Sequence, residues 1–136
     1  MTLEEMKALE ASRTRKGKPK KDEEHRLQTR MVHWFRLQFR EMSHALFAVP
    51  NGGRRDAISG ARLKAEGVTA GVSDLILLKS NRFYGALLIE VKTKTGRQSK
   101  EQKEWQAKVT QDNYKYVVVR SLEDFIREVK MYMADI

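Results

Sequence analysis

The chain lacks features that mark several classes of protein. It has no cysteine, which excludes disulfide bonds and thiolate zinc sites and is compatible with a reducing compartment. His25, His33 and His44 form no HExxH pattern, so a histidine-based zinc enzyme is not predicted. No apolar run approaches the roughly 18 residues of a membrane span, and the first ten residues do not have the form of a signal peptide. We therefore expect a soluble, intracellular protein without membrane contact.

Positive charge is in excess. The 136 residues include 27 Lys and Arg against 18 Asp and Glu, a formal net charge of +9. Such an excess is typical of proteins that bind polyanions, although a ribosomal-type binder would have it as well as a DNA-binding enzyme. Residues 1–21 contain a strongly basic window and are expected to form a tail, which either binds phosphates or is simply solvated. Residues 22–136 are long enough for one domain with a real core.

The hydrophobic pattern predicts helices alternating with strands. A helix over 22–42 carries an apolar stripe, and a short strand over 45–49 and a helix over 56–66 follow. Two strands joined near residues 79–83 come next, then a helix opened by Ser99, a strand over 114–120 and a helix capped by Ser121. A helix separates the hairpin from the last strand, so that strand can run parallel to its neighbour. This predicts an α/β fold with a small mixed sheet flanked by helices.

The strand from Tyr84 to Lys92 has two charged residues in an otherwise apolar run. Side chains alternate along a strand, so Glu90 and Lys92 share one face. Ionised groups in a core-like strand cost several kcal/mol unless a metal or a partner charge compensates. If the hairpin is centred near Arg82, residue 74 pairs with residue 90, and Asp74 joins Glu90 and Lys92.

Two carboxylates and a lysine suit a hard divalent cation. Mg²⁺ prefers oxygen ligands and keeps several waters, so a two-carboxylate site with open positions fits it. Such an ion lowers the pKa of a bound water and polarises a phosphoryl oxygen, while Lys92 can orient the water or offset charge on the phosphate. The residues alone leave a second interpretation equally open. In it, Glu90 and Lys92 form a structural pair at a sheet edge and Asp74 is a turn residue.

The start of the first helix has two acids, of which one is a candidate for the same site. Glu24 and Gln28 are four residues apart and share a face of the helix. The simplest explanation of Glu24 is that the helix dipole favours an acid at the N-terminus. Glu23 is the competing assignment, but it is turned about 100° around the helix, so at most one of the two points inward.

A loop and a helix start contain further candidate residues. The loop can turn successive N–H groups towards an anion, or it can be an ordinary strand-to-helix turn; its residues are Asn51, Gly52, Gly53, Arg54 and Arg55. Gln102 follows Ser99 at capping-box spacing, which gives it a purely structural explanation. Trp105 and Val109 are expected in the core.

The spacing of Asp74, Glu90 and Lys92 resembles the D…ExK signature of the PD-(D/E)XK nuclease superfamily. The flanking sequence resembles its VRR-NUC branch, in order from about residue 24 to residue 120. The segments that carry this resemblance are 49–55, 61–68, 70–74 and 90–92, with Ser99, Gln102 and Trp105. Where the family usually has a proline before the metal-binding aspartate, this chain has Ser73, which changes local backbone stiffness and leaves the acid in place.

The resemblance implies a restriction-endonuclease-like α/β/α core that hydrolyses DNA phosphodiesters with Mg²⁺ or Mn²⁺. It implies metal binding by Asp74, Glu90 and the Val91 carbonyl, with Glu24 as a further ligand or a supporting group. Lys92 would position or activate the attacking water, and Gln102 would lie beside the active site. It also implies DNA contact by residues 51–55, with Gln28 as a supporting polar contact.

Stand-alone VRR-NUC proteins of bacteria and phages are similar to this chain in length. They imply a homodimer that resolves four-way (Holliday) junctions, here in the cytoplasm of a bacterium or a phage-infected host. A two-fold dimer presents two active sites to two strands. The aromatic helix over 22–42 is the candidate dimer element, although the same residues would serve equally well as core. Two alternatives stay open: a nuclease for flaps, nicks or ends within a repair or restriction assembly, and a DNA-binding module without catalysis.

Overall fold

The computed structural model describes residues 2–7, 20–50 and 57–136. Most of the basic tail predicted over residues 1–21 lies outside this description. The predicted DNA-binding loop, Asn51 to Arg55, lies outside it as well. No helix in the described part is both long enough and apolar enough to cross a membrane.

Helices and strands follow one another in the predicted order. They are α1 (Lys20–Gln38), a 3₁₀ helix (Arg40–Ala45), β1 (Leu46–Ala48), α2 (Ala57–Ala65), β2 (Leu75–Leu77), β3 (Leu87–Val91), α3 (Lys100–Gln111), β4 (Lys115–Val119) and α4 (Leu122–Ala134). A short helical segment also covers residues 3–7. The sheet order is β1-β2-β3-β4, with β3 and β4 parallel and the other pairs antiparallel. The predicted α/β fold with a small mixed sheet is therefore confirmed.

The hairpin register brings the two predicted acids together. Leu75 pairs with Ile89 and Ile76 pairs with Leu88, which puts residue 74 opposite residue 90 as predicted. α3 then forms the crossover from β3 to the parallel strand β4. The last residues of β3 consequently lie between the start of β2 and the end of β4.

One face of the sheet forms the core with α1 and α4. The buried residues of this layer include Leu27, Met31, Phe35, Leu46, Leu75, Leu77, Leu87, Ile89, Val91, Val119, Phe125, Val129 and Tyr132. Burying a large apolar side chain contributes roughly 1.5–3 kcal/mol relative to leaving it exposed. This layer therefore supplies most of the hydrophobic stabilisation and anchors the strands that carry the candidate site.

The aromatic residues of α1 find partners within the chain. The Trp34 ring meets Phe125 edge-on, with ring centroids 6.1 Å apart, and the Phe35 ring lies 5.1 Å from that of Phe39. These contacts favour the interpretation of the α1 aromatics as core. A homodimer through this helix stays a prediction.

The helix predicted to reach Met42 ends at Gln38. Phe39 has φ −123° and ψ 62°, which are not helical angles, and a 3₁₀ helix follows. Met42 still packs against the core from that segment. The three- and four-residue spacing therefore continued past the true end of the helix and could not reveal it.

The other face of the sheet is covered less completely, by α3. The Trp105 ring meets that of Tyr116 edge-on, with centroids 6.1 Å apart. Trp105 and Val109 pack on the sheet but are only half-buried, so the prediction that they lie in the core was wrong. Phe47, which shares this face through its pairing with Ile76, is 40% exposed. Within the described residues, this face therefore has an open side next to the helix, and the candidate site lies on it.

Candidate active site

Asp74 is held at the start of β2 through both its side chain and its backbone. Its Oδ2 accepts a hydrogen bond from the Val91 N–H at 2.8 Å, and its carbonyl accepts one from the Val49 N–H at 2.9 Å. The carboxylate is thereby fixed against the end of β3, where Glu90 and Val91 lie. A hydrogen bond to a carboxylate is stronger than one between neutral groups, so this contact orients the acid firmly.

Ser73 is fully buried just before this aspartate. Its Oγ donates a hydrogen bond to the Leu75 carbonyl at 3.2 Å. A buried hydroxyl without a partner is costly, so this contact removes that penalty and links the residues on either side of Asp74. The serine thus restrains the backbone at the position where a proline is usual in the family that the sequence resembles.

Glu90 is a carboxyl group inside the protein, only 1% exposed. Burial raises its pKa to about 9, helped by the neighbouring charge of Asp74 and by a hydrogen bond with that acid, and opposed by Lys92. Two carboxyl groups can share a hydrogen bond only when one of them is protonated. In the metal-free chain, the proton therefore stays on Glu90 at neutral pH and separates it from the negative charge of Asp74.

Gln102 serves the helix and the site at once. Its Oε1 accepts from the Ser99 N–H at 2.8 Å, and its own N–H donates to Ser99 Oγ at 3.2 Å, which forms the predicted capping box. Its Nε2 donates to Glu90 Oε1 at 2.8 Å. The predicted capping box is therefore present, and the same amide couples the start of α3 to the buried acid.

Lys92 and Glu24 complete the electrostatic environment. The Lys92 charge lowers the pKa of Glu90 and the Glu24 charge raises it, so both side chains act on that buried acid. Lys92 is half-buried, and its N–H donates to the Val119 carbonyl at 3.0 Å. The competing acid, Glu23, is exposed and lines a groove with Thr93 on another side of α1.

Gln28, predicted as a supporting DNA contact, has a different setting. It lines a groove along α1 together with Thr29 and Val32. That groove does not include Asp74 or Glu90. Its DNA contact stays a prediction.

No motif or spacing in the sequence marks Tyr116, which borders the site. It pairs with Leu88, so it lies on the same face of the sheet as Glu90. Its hydroxyl accepts from Gln98 Nε2 at 3.2 Å, and the same nitrogen donates to Gln106 Oε1 at 2.9 Å. Burial, reinforced by the charge of Glu90, raises the pKa of Tyr116 to about 12. The phenol is therefore neutral at physiological pH. The alternation of side chains along β4 is the one sequence feature that places it on this face of the sheet.

The chemistry of the acidic pair fits a divalent cation. Among the described residues, no three His, Cys, Asp or Glu side chains are grouped closely enough to hold a metal. Mg²⁺, however, often takes only one or two carboxylates and keeps several waters. Glu90 Oε2 is buried and receives no hydrogen bond from a donor of the described residues, and the two carboxyl groups repel each other once both are ionised. A cation between them would satisfy that oxygen and replace the proton.

A cleft of about 490 Å³ opens beside Asp74. Its walls come from α2, from residues 68–72 and from the first turn of α3, and they include Leu63, Lys64 and Thr69. Gly71 closes the floor against α3: its φ is +86°, and a Cβ there would lie 2.3 Å from the Glu101 carbonyl oxygen. Only glycine fits this position, so the loop that carries Asp74 can lie directly on the helix that carries Gln102.

Comparison with known proteins agrees with this geometry. The model of the VRR-NUC domain family matches residues 9–123, a span that includes every residue of the site. A solved structure named as a VRR-NUC domain protein superposes with a TM-score of 0.72 and 24% sequence identity. The match covers 82% of this chain and 88% of that one, and at this identity it shows the fold alone. None of the curated proteins matches the chain.

Replacing Glu90 with Gln is expected to stabilise the metal-free protein at neutral pH. The pKa of Glu90 is about 9 in the folded chain against an ordinary 4.5, so between these values the folded state holds a proton that the unfolded state releases. Stability is therefore lost as pH rises through this window, by up to about 1.4 kcal/mol per unit. Gln keeps the shape without the proton, so we expect a gain on the order of 1–3 kcal/mol at pH 7 and almost none at pH 4.

Urea unfolding in EDTA at pH 4, 7 and 8.5 measures this difference. Glu104→Gln is the matched control, because Glu104 is an exposed acid of α3 in a 3.9 Å ion pair with Lys100. It should change stability little at any of the three pH values. If E90Q and E104Q gave the same pH dependence as the parent chain, Glu90 would not carry the bound proton.

Proposed function

Since this chain belongs to the VRR-NUC domain family, we propose that it is a metal-dependent endonuclease that hydrolyses DNA phosphodiesters. Membership makes it a nuclease-family protein, and DNA is the substrate that such a domain implies. The observation that carries the proposal is the buried Glu90 set directly against Asp74. In a structural Glu90–Lys92 pair the lysine would hold the pKa of Glu90 down, whereas here burial and the charge of Asp74 outweigh Lys92 and raise that pKa to about 9, so the site suits a cation.

Asp74, Glu90 and the Val91 carbonyl would hold Mg²⁺ or Mn²⁺. The bound ion supplies a water of lowered pKa and polarises a phosphoryl oxygen. Gln102 fixes Glu90 by donating to Oε1, which leaves Oε2 available towards Asp74. The Val91 N–H fixes Asp74 from the other side. Without metal, the proton on Glu90 limits the repulsion between the two acids. On metal binding, Glu90 would release this proton to solvent and hold the ion as a carboxylate.

Lys92 provides the positive charge that the reaction needs beside this pair. It shares a face with Glu90 and acts on its pKa, so it lies close to the reacting phosphate in the proposed complex. There it orients the attacking water or offsets the charge that develops on the phosphate. Glu24 acts at longer range by adding negative charge that strengthens the hold on the cation.

The resemblance to stand-alone VRR-NUC proteins is the ground for proposing a branched substrate. We propose a structure-selective enzyme that acts on four-way junctions as a homodimer, because a two-fold dimer presents two active sites to two strands. Flap-, nick- or end-directed cleavage is the alternative. The cleft of about 490 Å³ beside Asp74 is open to a DNA strand in either case.

Lys92→Gln and Asp74→Asn are expected to reduce cleavage at least 100-fold while leaving folding and DNA binding nearly unchanged. Each change removes a charge at the reacting centre and keeps a polar side chain of similar size. Lys94→Gln is the matched control for the lysine, since Lys94 is exposed two residues away. Asp112→Asn, at the exposed C-cap of α3, is the control for the acid.

Single-turnover cleavage of a labelled four-way junction in Mg²⁺ or Mn²⁺, with EDTA as the blank, gives the rates. Controls that cleave like the parent chain, with inactive K92Q and D74N, support the assignment. Parent activity that survives EDTA, or active K92Q and D74N, would rule out the metal-dependent mechanism.

The substrate is decided by a panel of four-way junction, flap, nicked duplex and linear duplex. We expect paired, symmetric cuts on the junction and a dimer by sedimentation, because two symmetric active sites are needed to cut two strands. Preferential cutting of flaps or ends by a monomer would favour the alternative enzyme. Binding of every substrate without cleavage of any would reduce the protein to a DNA-binding module.

A further inference from the structure

Arg120 holds the loop that follows Lys92. It comes directly after β4, and its Nη1 donates to the Gly96 carbonyl at 2.6 Å and to the Thr93 carbonyl at 2.8 Å, with a longer contact of 3.4 Å to that of Lys94. Hydrogen bonds from a charged donor are roughly twice as strong as neutral ones. A single nitrogen of this guanidinium therefore contacts three carbonyl oxygens of residues 93–96.

The same loop packs against the side chain of Lys92. A Cβ built on Gly96 would lie 3.5 Å from Lys92 Cδ and 3.1 Å from Thr93 Oγ1, so the loop backbone passes close to the lysine stem. The Lys92 N–H is held in turn by the Val119 carbonyl, one residue before Arg120. The backbone of Lys92 and the loop against its stem are thus both attached to the end of β4.

The main contact of the Arg120 guanidinium is with the loop carbonyls of residues 93–96. Its backbone N–H donates to Asp124 Oδ2 at 3.1 Å, while Asp124 Oδ1 pairs with Arg127 at 3.3 Å. Glu23 and Glu123 line the same groove as Arg120, together with Arg30 and Lys94, so charges of both signs surround the guanidinium. Its Nη1 donates to the carbonyls of Thr93 and Gly96, which places Arg120 to organise the loop.

We propose that Arg120 is a positioning residue for Lys92: it fixes residues 93–96, and these hold the lysine stem so that the ammonium lies at the Asp74–Glu90 pair. Lysine has a long, flexible side chain, and its role in the reaction requires one orientation. The inference rests on the proposed nuclease function, and it adds a residue that acts on the rate through Lys92 without touching the DNA.

Arg120→Ala tests this, with Arg127→Ala as the matched control. Arg127 is an exposed arginine of α4 whose side chain pairs with Asp124, so its loss removes the same charge nearby. We expect the single-turnover rate of R120A at saturating junction DNA to fall 10- to 100-fold below that of R127A, because a displacement of about 1 Å can cost 100-fold. DNA affinity of the two variants in EDTA should agree within about threefold.

Chemical rescue separates positioning from general loss of structure. Millimolar guanidinium chloride should restore part of the R120A rate by occupying the vacated place, whereas sodium chloride at equal ionic strength should not. K92Q should gain nothing from either salt. Absence of rescue with guanidinium, at a concentration that leaves the parent chain unaffected, counts against the proposal.

Gly96→Ala disturbs the same loop while Arg120 stays in place. It tests the positioning role if R120A does not fold. Its added methyl lies against Thr93 Oγ1 and the Lys92 stem, so we expect a slower saturating rate with unchanged DNA affinity. Ser80→Ala is the control, because Ser80 is exposed in the connection between β2 and β3, at the end of the hairpin opposite to Asp74 and Glu90.

Three results would overturn the inference. The first is G96A and R120A cleaving at the rates of their controls. The second is R120A losing DNA affinity while keeping its saturating rate, which would make Arg120 a DNA contact. The third is a parent chain that does not cleave with either metal, which refutes the proposed function itself. If the parent chain is active and R120A is fully active, only the positioning role is refuted.

Discussion

The candidate site depends on the repulsion between two neighbouring carboxyl groups, those of Asp74 and Glu90. Glu90 lies in the most buried strand of the sheet, and the hairpin register sets Asp74 beside it. Among the described residues, Lys92 is the opposite charge that acts on Glu90, and it does not cancel the effects of burial and of Asp74, because the pKa of Glu90 remains raised to about 9. The metal-free fold tolerates the pair only because Glu90 stays protonated. A cation is the natural replacement for that proton.

The surrounding elements make this arrangement rigid. Gln102 ties Glu90 to the first turn of α3, and the Val91 N–H ties Asp74 to the end of β3. Gly71 lets the Asp74 loop lie directly against α3, which no side chain at that position would allow. Arg120 then secures the loop after Lys92 from the end of β4. Asp74 and Glu90 are thus oriented by contacts from different elements, and the end of β4 holds the Lys92 N–H and the loop that follows it.

The sequence was sufficient where the deciding information is local or periodic. Alternation along β3 placed Glu90 and Lys92 on one face, and a hairpin assumed to be centred near Arg82 set residue 74 opposite residue 90, as the observed register does. The three-residue spacing of Ser99 and Gln102 predicted their capping box. Helical geometry indicated that at most one of Glu23 and Glu24 points inward, and the family resemblance favoured Glu24. The effect of Glu24 on the pKa of Glu90 agrees with that choice.

It was insufficient where distant segments meet. Arg120 reads as the end of a strand, and nothing near it in sequence reveals that its partners lie 24 to 27 residues earlier. Tyr116 is one residue of an apolar strand until its pairing with Leu88 puts it beside the acids. Trp105 looked like core because its helix is amphipathic, yet α3 covers only part of its sheet face. The end of α1 was missed because a 3₁₀ helix continues the apolar stripe.

The central claim is that the Glu90 carboxyl is neutral until a cation replaces its proton. Infrared difference spectroscopy of the carboxyl C=O stretch measures this directly in the full chain. We predict a protonated-acid band at pH 7 in EDTA that is absent from E90Q and disappears when Mn²⁺ is added. A spectrum without that band, or a band unaffected by Mn²⁺ at concentrations that support cleavage, would contradict the account.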